Sequence, residues 1–168
     1  MTIGIAMLCE HEDKFAAVLC TDWQGTRGDF IKAEDTYKIQ HFDKAAILIA
    51  GDPAAAYEFA CRFQNVVREF NAIEKIKGDV DIRANIYLAK LRDMASLFKR
   101  DRANHAIAMT FAVTLDEFYS REAPQRFTTE QYKAISDLIK KTDLGAEFII
   151  VYMDEDEPVI VRSIKTAT

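Results

Sequence analysis

The chain has 168 residues, 49% of them hydrophobic, enough to bury one sizeable core, so a single domain over 1–168 is expected. Its 22 Lys and Arg stand against 27 Asp and Glu, a formal net charge of -5 with the signs mixed along the chain, which argues against a nucleic-acid partner because phosphate binding needs a concentrated basic surface. Three cysteines without CxxC spacing suit reduced thiols in a cytoplasmic protein, and no stretch approaches the roughly 20 apolar residues that cross a bilayer.

Residues 2–9 and 15–20 are apolar runs on either side of the charged stretch 10–14, and they predict two strands joined as a β-hairpin. A second strand pair is expected near residues 30–31 and 37–41, flanking 32–36, and residues 45–50 predict a further buried strand. The period then changes. Gly51-Asp52-Pro53 supplies a turn glycine, a capping carboxylate and a proline suited to the first helical position. Phe59, Phe63, Val66, Val67, Phe70 and Ile73 recur at three and four residues, and from about Asp81 a second helix carries Ala84, Tyr87, Leu88, Leu91, Met94, Ala95 and Phe98 in the same pattern.

Residues 115–127 show no clear period and are expected to be irregular. Thr128-Thr-Glu-Gln131 reads as a capping box for a shorter helix carrying Tyr132, Ile135, Leu138 and Ile139, with Gly145 as its end. Residues 148–153 and 159–164 surround the acidic turn 154–158 and predict a closing hairpin. Strands, then helices, then strands make an α+β order, with two long helices laid on a mostly antiparallel sheet.

A turn centred near Glu12 brings Thr2 opposite Asp22, so local pairing alone carries a carboxylate to the amino end. Initiator methionine is commonly trimmed before threonine, and removal of Met1 leaves Thr2 with an α-amino group beside its own hydroxyl. That amine has an ordinary pKa of about 7.7–8.0, close enough to neutrality to serve as general base for an N-terminal threonine nucleophile. A lysine near the hydroxyl would favour the alkoxide, and a carboxylate would hold that lysine. Lys38 and Asp22 are the candidates.

Thr2-Ile-x-Ile, Thr21-Asp22-x-x-Gly25-Thr26-x-Gly28, Lys38-Ile39 and Ala50-Gly51-Asp52 before a long helix together resemble the N-terminal half of proteasome β-type subunits and the bacterial heat-shock peptidase related to them. The resemblance implies an N-terminal-nucleophile (Ntn) hydrolase with a four-layer αββα sandwich. It matches Thr2, Asp22 and Lys38 to the family's catalytic residues and Gly51 to the glycine whose N–H forms the oxyanion hole. Thr26 matches a threonine whose backbone aligns the substrate, and Gly25, Thr36, Ile49 and Pro53 would line the pocket that reads the side chain preceding the cleaved bond. The first hairpin is a few residues longer than the family's. Family chains also continue beyond the last hairpin into a Gly-Ser-Gly-type loop and further helices and strands, whereas this sequence ends at Thr168, so a fragment of a longer subunit or an altered support for the threonine is expected.

The activity implied is hydrolysis of amide bonds in peptide or unfolded-protein substrates by a homo-oligomeric ring, without a cofactor and with an ATPase unfoldase as an optional partner. A noncatalytic structural subunit and an amidohydrolase of non-peptide amides are the alternatives. His11, His41 and His105 lack metal-type spacing, the acidic run 154–157 lacks the glycine of a calcium loop, and Gly25-Thr-Arg-Gly28 lacks nucleotide-loop spacing, so no metal is expected. Cys9 and Cys20 are expected to be core-facing thiols that are not opposite one another, and Lys99-Arg100-Asp101-Arg102 the solvated end of a helix. Phe59, Phe63 and Phe70 read as core.

Overall fold

The structure, a computed structural model, describes residues 4–12, 14–22, 25–27, 31–33, 38–73, 80–154 and 157–161. The first two apolar runs form antiparallel strands β1 (Gly4–His11) and β2 (Lys14–Thr21), with Gly4 opposite Thr21 and His11 opposite Lys14. The turn's midpoint falls after Glu12, which sits in the left-handed region at φ 51°, and not on it. This corrects the expected register by one residue, because a two-residue connection is the one whose twist matches the strands it joins. Thr2 lies outside the described residues.

The second strand pair also differs from expectation. Strand β3 (Gly25–Arg27) pairs with β4 (Ile31–Ala33), while β5 (Ile39–Phe42) turns back through Asp43 and Lys44 onto β6 (Ala45–Gly51). Asp43, at φ 51°, makes that tight return possible, since aspartate tolerates the left-handed region better than most residues. The predicted closing hairpin is present as β7 (Ala146–Asp154) and β8 (Glu157–Val161), and β5-β6-β7-β8 form one antiparallel sheet.

Ala45 to Ile49 are buried in succession, so both faces of β6 are covered. On one face Phe59 of α1 (Pro53–Ile73) stacks on Phe148 with centroids 3.8 Å apart, and Phe63 meets Phe42 edge-on at 5.6 Å. Tyr87 of α2 (Val80–Phe111) lies against Tyr152, 4.8 Å away on that same face. On the other face Leu48 lies under Gly4 so closely that a Cβ there would come within 2.3 Å of Leu48 Cδ2. Helices, four-stranded sheet and β1–β2 hairpin thus stack in that order within one compact unit, Met1–Met94 with Ala146–Lys165.

Because Gly4 turns its side of the hairpin toward the sheet, alternation turns Ile5, Met7, Cys9, Val18 and Cys20 outward. Cys9 and Cys20 are accordingly exposed, a correction to the core-facing expectation, although they are not opposite one another: Cys9 pairs with Ala16 and Cys20 with Ile5.

The second unit, Ala95–Gly145 with Thr166–Thr168, has a core of Ala103, Ile107, Val113, Leu115, Phe118 and Ile135. Helix α2 continues to Phe111, so residues 99–102 lie inside it and not at its end. Arg100 there bonds Asp116 at 2.9 Å, and Arg102 donates to the Asp143 carbonyl at 3.2 Å. The stretch expected to be irregular holds two one-turn helices, α3 (Leu115–Phe118) and α4 (Ala123–Arg126). α3 is possible because Thr114 and Glu117 form a capping box and Asn104 Oδ1 accepts the Leu115 N–H. Helix α5 (Thr129–Lys141) starts at the predicted Thr128–Gln131 box. It stops at Thr142 in extended conformation; Gly145, at φ 72°, serves the bend into β7 instead of ending the helix.

The chain is therefore a mixed α+β protein whose described sheets are all antiparallel. None of its described helices is long and apolar enough to cross a membrane.

Candidate functional site

Lys38 stands one residue ahead of β5, and its carbonyl accepts the Ile49 N–H at 2.8 Å, which extends the β5–β6 ladder by one pair. Its side chain is only 6% exposed, yet it carries an ammonium group. Burying such a charge is tolerable only with a counter-charge and hydrogen-bond acceptors. The Asp22 carboxylate supplies both, with Oδ2 2.9 Å from Lys38 Nζ. Asp22 follows the last residue of β2 and is 33% exposed, so the pair has one buried and one partly solvated member.

The Thr21 hydroxyl adds a weaker contact. It lies 3.4 Å from the Asp22 carbonyl and 3.5 Å from Oδ1, the outer limit for donation. In the sequence, the signal for Thr21 is a hydroxyl residue beside an aspartate at a strand end, a frequent local hydrogen-bonding arrangement.

Gly51 closes β6 opposite Ala146, at φ 126°. Side chains strain there, and glycine does not. Immediately after it, Asp52 caps α1: its Oδ1 accepts the Ala54 N–H at 3.0 Å, and its carbonyl accepts the Ala56 N–H at 2.9 Å. Pro53 occupies the first helical position, exposed, where the missing N–H costs nothing. Gly51 therefore joins a strand end to a helix N-terminus, where backbone donors concentrate partial positive charge.

These pieces meet at one end of the sheet. Lys38 pairs with Ile49, and Gly51 lies two residues further along β6, about 7 Å at strand rise. Gly4 rests on Leu48, the neighbour of Ile49, so the amino end of β1 and the adjoining Thr21-Asp22 arrive at that end too. Asp22 and Lys38 are thus in contact, and Gly51 ends the strand whose Ile49 pairs with Lys38.

The residues expected to bind substrate divide differently. Ile49 is 6% exposed and pairs with Phe148, on the face that meets α1. Gly25 and Thr26 belong to β3, opposite Ala33 and Lys32. Thr36, like Thr2, lies outside the described residues. Among the described residues no three His, Cys, Asp or Glu side chains converge in a manner that would hold a metal ion.

Comparison of the chain with protein-family models, with curated proteins and with solved structures finds no match.

Proposed function

We propose that the chain is a threonine-type amide hydrolase of the N-terminal-nucleophile kind, with Thr2 as nucleophile once Met1 is removed. The observation that carries this reading is the Asp22–Lys38 pair, closed at 2.9 Å with Lys38 buried, at the end of the sheet where β1 begins two residues after Thr2. A buried ammonium group is costly to keep, and a role for its charge at the amino end explains its position better than packing does.

In this mechanism the Thr2 hydroxyl attacks the substrate carbonyl carbon while the Thr2 α-amine takes the hydroxyl proton. Lys38 stabilises the developing alkoxide by its charge, and Asp22 holds Lys38 in place. The Gly51 N–H donates to the oxyanion, an interaction whose value appears only as the tetrahedral state forms. The amine then returns the proton to the leaving nitrogen, the C–N bond breaks, and an ester on Thr2 remains. Water, deprotonated by the same amine, cleaves that ester and restores the hydroxyl.

The finer fold reading is the αββα sandwich. The order helices, sheet, hairpin supports it, and so does the apolar outer face of the hairpin, where Ile5 is 48%, Met7 51% and Val18 43% exposed, since a second helix layer would cover that face in the four-layer arrangement. With it go a peptide or unfolded-protein substrate, a homo-oligomeric ring and a cytoplasmic location.

The test is covalent. A peptide epoxyketone consumes both a hydroxyl and a free α-amine, so processed protein should gain its mass on the peptide beginning at Thr2. Lys38→Met should slow adduct formation about a hundredfold or more, the scale of losing one preorganised electrostatic group. A trimmed terminus that gives no adduct overturns the proposal. Met1 retained in protein from the native host favours a noncatalytic subunit.

A further inference from the structure

The contacts at the amino end of the first hairpin close on themselves. Gly4 of β1 stands opposite Thr21 of β2, and Thr21 is joined to Asp22. Asp22 holds Lys38 at 2.9 Å, the Lys38 carbonyl accepts the Ile49 N–H at 2.8 Å, Ile49 follows Leu48 in β6, and Leu48 lies against Gly4. In this circuit the steps Thr21–Asp22 and Leu48–Ile49 are covalent, and Gly4–Thr21 and Lys38–Ile49 are backbone pairings whose spacing a strand ladder fixes. The links that can give are the Gly4–Leu48 contact and the Asp22–Lys38 ion pair.

We infer that Gly4 is the positioning residue of the Asp22–Lys38 pair: with only hydrogen at position 4, the hairpin seats deeply enough for the carboxylate to reach the ammonium group. A Cβ at position 4 would lie 2.3 Å from Leu48 Cδ2, 3.1 Å from Cδ1 and 3.3 Å from Cγ. Rotation about the Leu48 Cβ–Cγ bond gains little, because both terminal carbons and the carbon that bears them are already close. Leu48 is itself buried in the sheet. Ordinary carbon–carbon contact therefore returns only when β1 rises by about 1 Å. Strand β2 rises with it through the ladder, and a 2.9 Å ion pair lengthened by about 1 Å is beyond hydrogen-bond range. The Asp22 side chain is short and the Lys38 side chain is buried, so neither follows freely.

Backbone conformation does not account for this glycine. Among the described residues the glycines at positive φ are Gly51 and Gly145, whereas Gly4 lies in an ordinary strand. A glycine inside a strand weakens it and commonly marks a close approach by another part of the chain, here Leu48. The consequence for catalysis rests on the hydrolase proposal: Gly4 comes two residues after Thr2, so the same seating sets how near the amino end comes to Lys38. The circuit itself does not depend on that proposal.

The experiment measures lysine acetylation rates in the full chain by trace labelling with acetic anhydride and peptide mass spectrometry. Lys38, being buried, should react slowly in the parent. Gly4→Ala should raise its rate about tenfold or more, while Lys90, held by Glu69 in the same unit, stays within about twofold. Adding Leu48→Ala, which removes all three crowding atoms, should return Lys38 to within about threefold of the parent. An unchanged Lys38 rate in Gly4→Ala, an equal rise at Lys90, or a rise that Leu48→Ala does not reverse would each overturn the inference. Should Gly4→Ala alone fail to fold, the double variant decides: a Lys38 rate near that of the parent supports the inference, and a rate raised about tenfold overturns it. Epoxyketone labelling of Thr2 should slow in Gly4→Ala and recover in the double variant; labelling that ignores Gly4→Ala while Lys38 opens would overturn the link to the nucleophile. A trimmed parent that takes no label removes the hydrolase proposal and leaves the lysine rates to judge the role of Gly4.

Discussion

In the unit that holds the sheet, aromatic side chains cross from layer to layer, Phe59 on Phe148 and Tyr87 on Tyr152, and the buried charge described there, Lys38, has its carboxylate partner at 2.9 Å. In the helical unit the core is smaller, the short helices are fixed by the capping boxes at Thr114 and Thr128, and the ion pairs Arg100–Asp116 and Arg126–Glu117 stand in solvent. The first unit depends on shape and on one desolvated charge. The second depends on satisfying helix ends, each a small term. Substitutions in the sheet unit should therefore cost several times more than comparable ones in the helical unit.

The sharpest way to break that comparison is Phe59→Ala. Phe59 is fully buried and stacked on Phe148, and removal of such a ring costs about 3–5 kcal/mol by lost transfer and cavity. Urea denaturation should show that loss; a change below about 1 kcal/mol would mean the layers do not depend on this contact.

Next in size is an asymmetry within the ion pair. Asp22→Asn removes a carboxylate charge from beside the Lys38 ammonium, whose side chain is 6% exposed, whereas Lys38→Met leaves a carboxylate that is 33% exposed and reached by water. Breaking a fully buried pair costs about 3–5 kcal/mol; partial solvation reduces this to about 2 kcal/mol for Asp22→Asn and less for Lys38→Met. Equal losses, or a larger loss for Lys38→Met, would contradict the assignment of Lys38 as the desolvated partner.

The smallest effect belongs to the helical unit. The Thr114 N–H, first, and then its hydroxyl hold the Glu117 carboxyl below the usual carboxylate range, with a further contribution from Arg126. A carboxyl whose pKa is lower folded than unfolded adds stability above its unfolded pKa and loses it as pH falls through the lowered folded value. Melts taken on descending pH should show this loss in the parent chain, and Glu117→Gln should flatten that acid limb. An unchanged limb would remove the box from the account of α3.

Much of this was legible from local pattern. The Thr128 box, the Asp52-Pro53 start of α1 and the aromatic spacing of α1 are short-range signals that tertiary structure had no reason to override. The register of the first hairpin was missed by one residue because either side of Glu12 offers charged, turn-compatible residues, and only a two-residue connection decides between them. The partner of β5 was missed because Asp43-Lys44 carries neither glycine nor proline. The outward orientation of Cys9 and Cys20 could not be read from an apolar run, since alternation fixes two faces without saying which is covered. For the site, spacing suggested that Asp22 and Lys38 belong together, but the meeting of residues sixteen apart follows from the stacking of hairpin on sheet, a long-range contact that no window of sequence contains.

That stacking rests on an atom that is not there. Position 4 brings the hairpin down onto Leu48, which is 2% exposed and has little room to retreat. A single added methyl would act as a wedge, lifting the chain's first strand away from Lys38 and Gly51 while leaving every reactive group intact. A residue with no chemistry of its own thereby sets the clearance that the proposed chemistry of its neighbours requires.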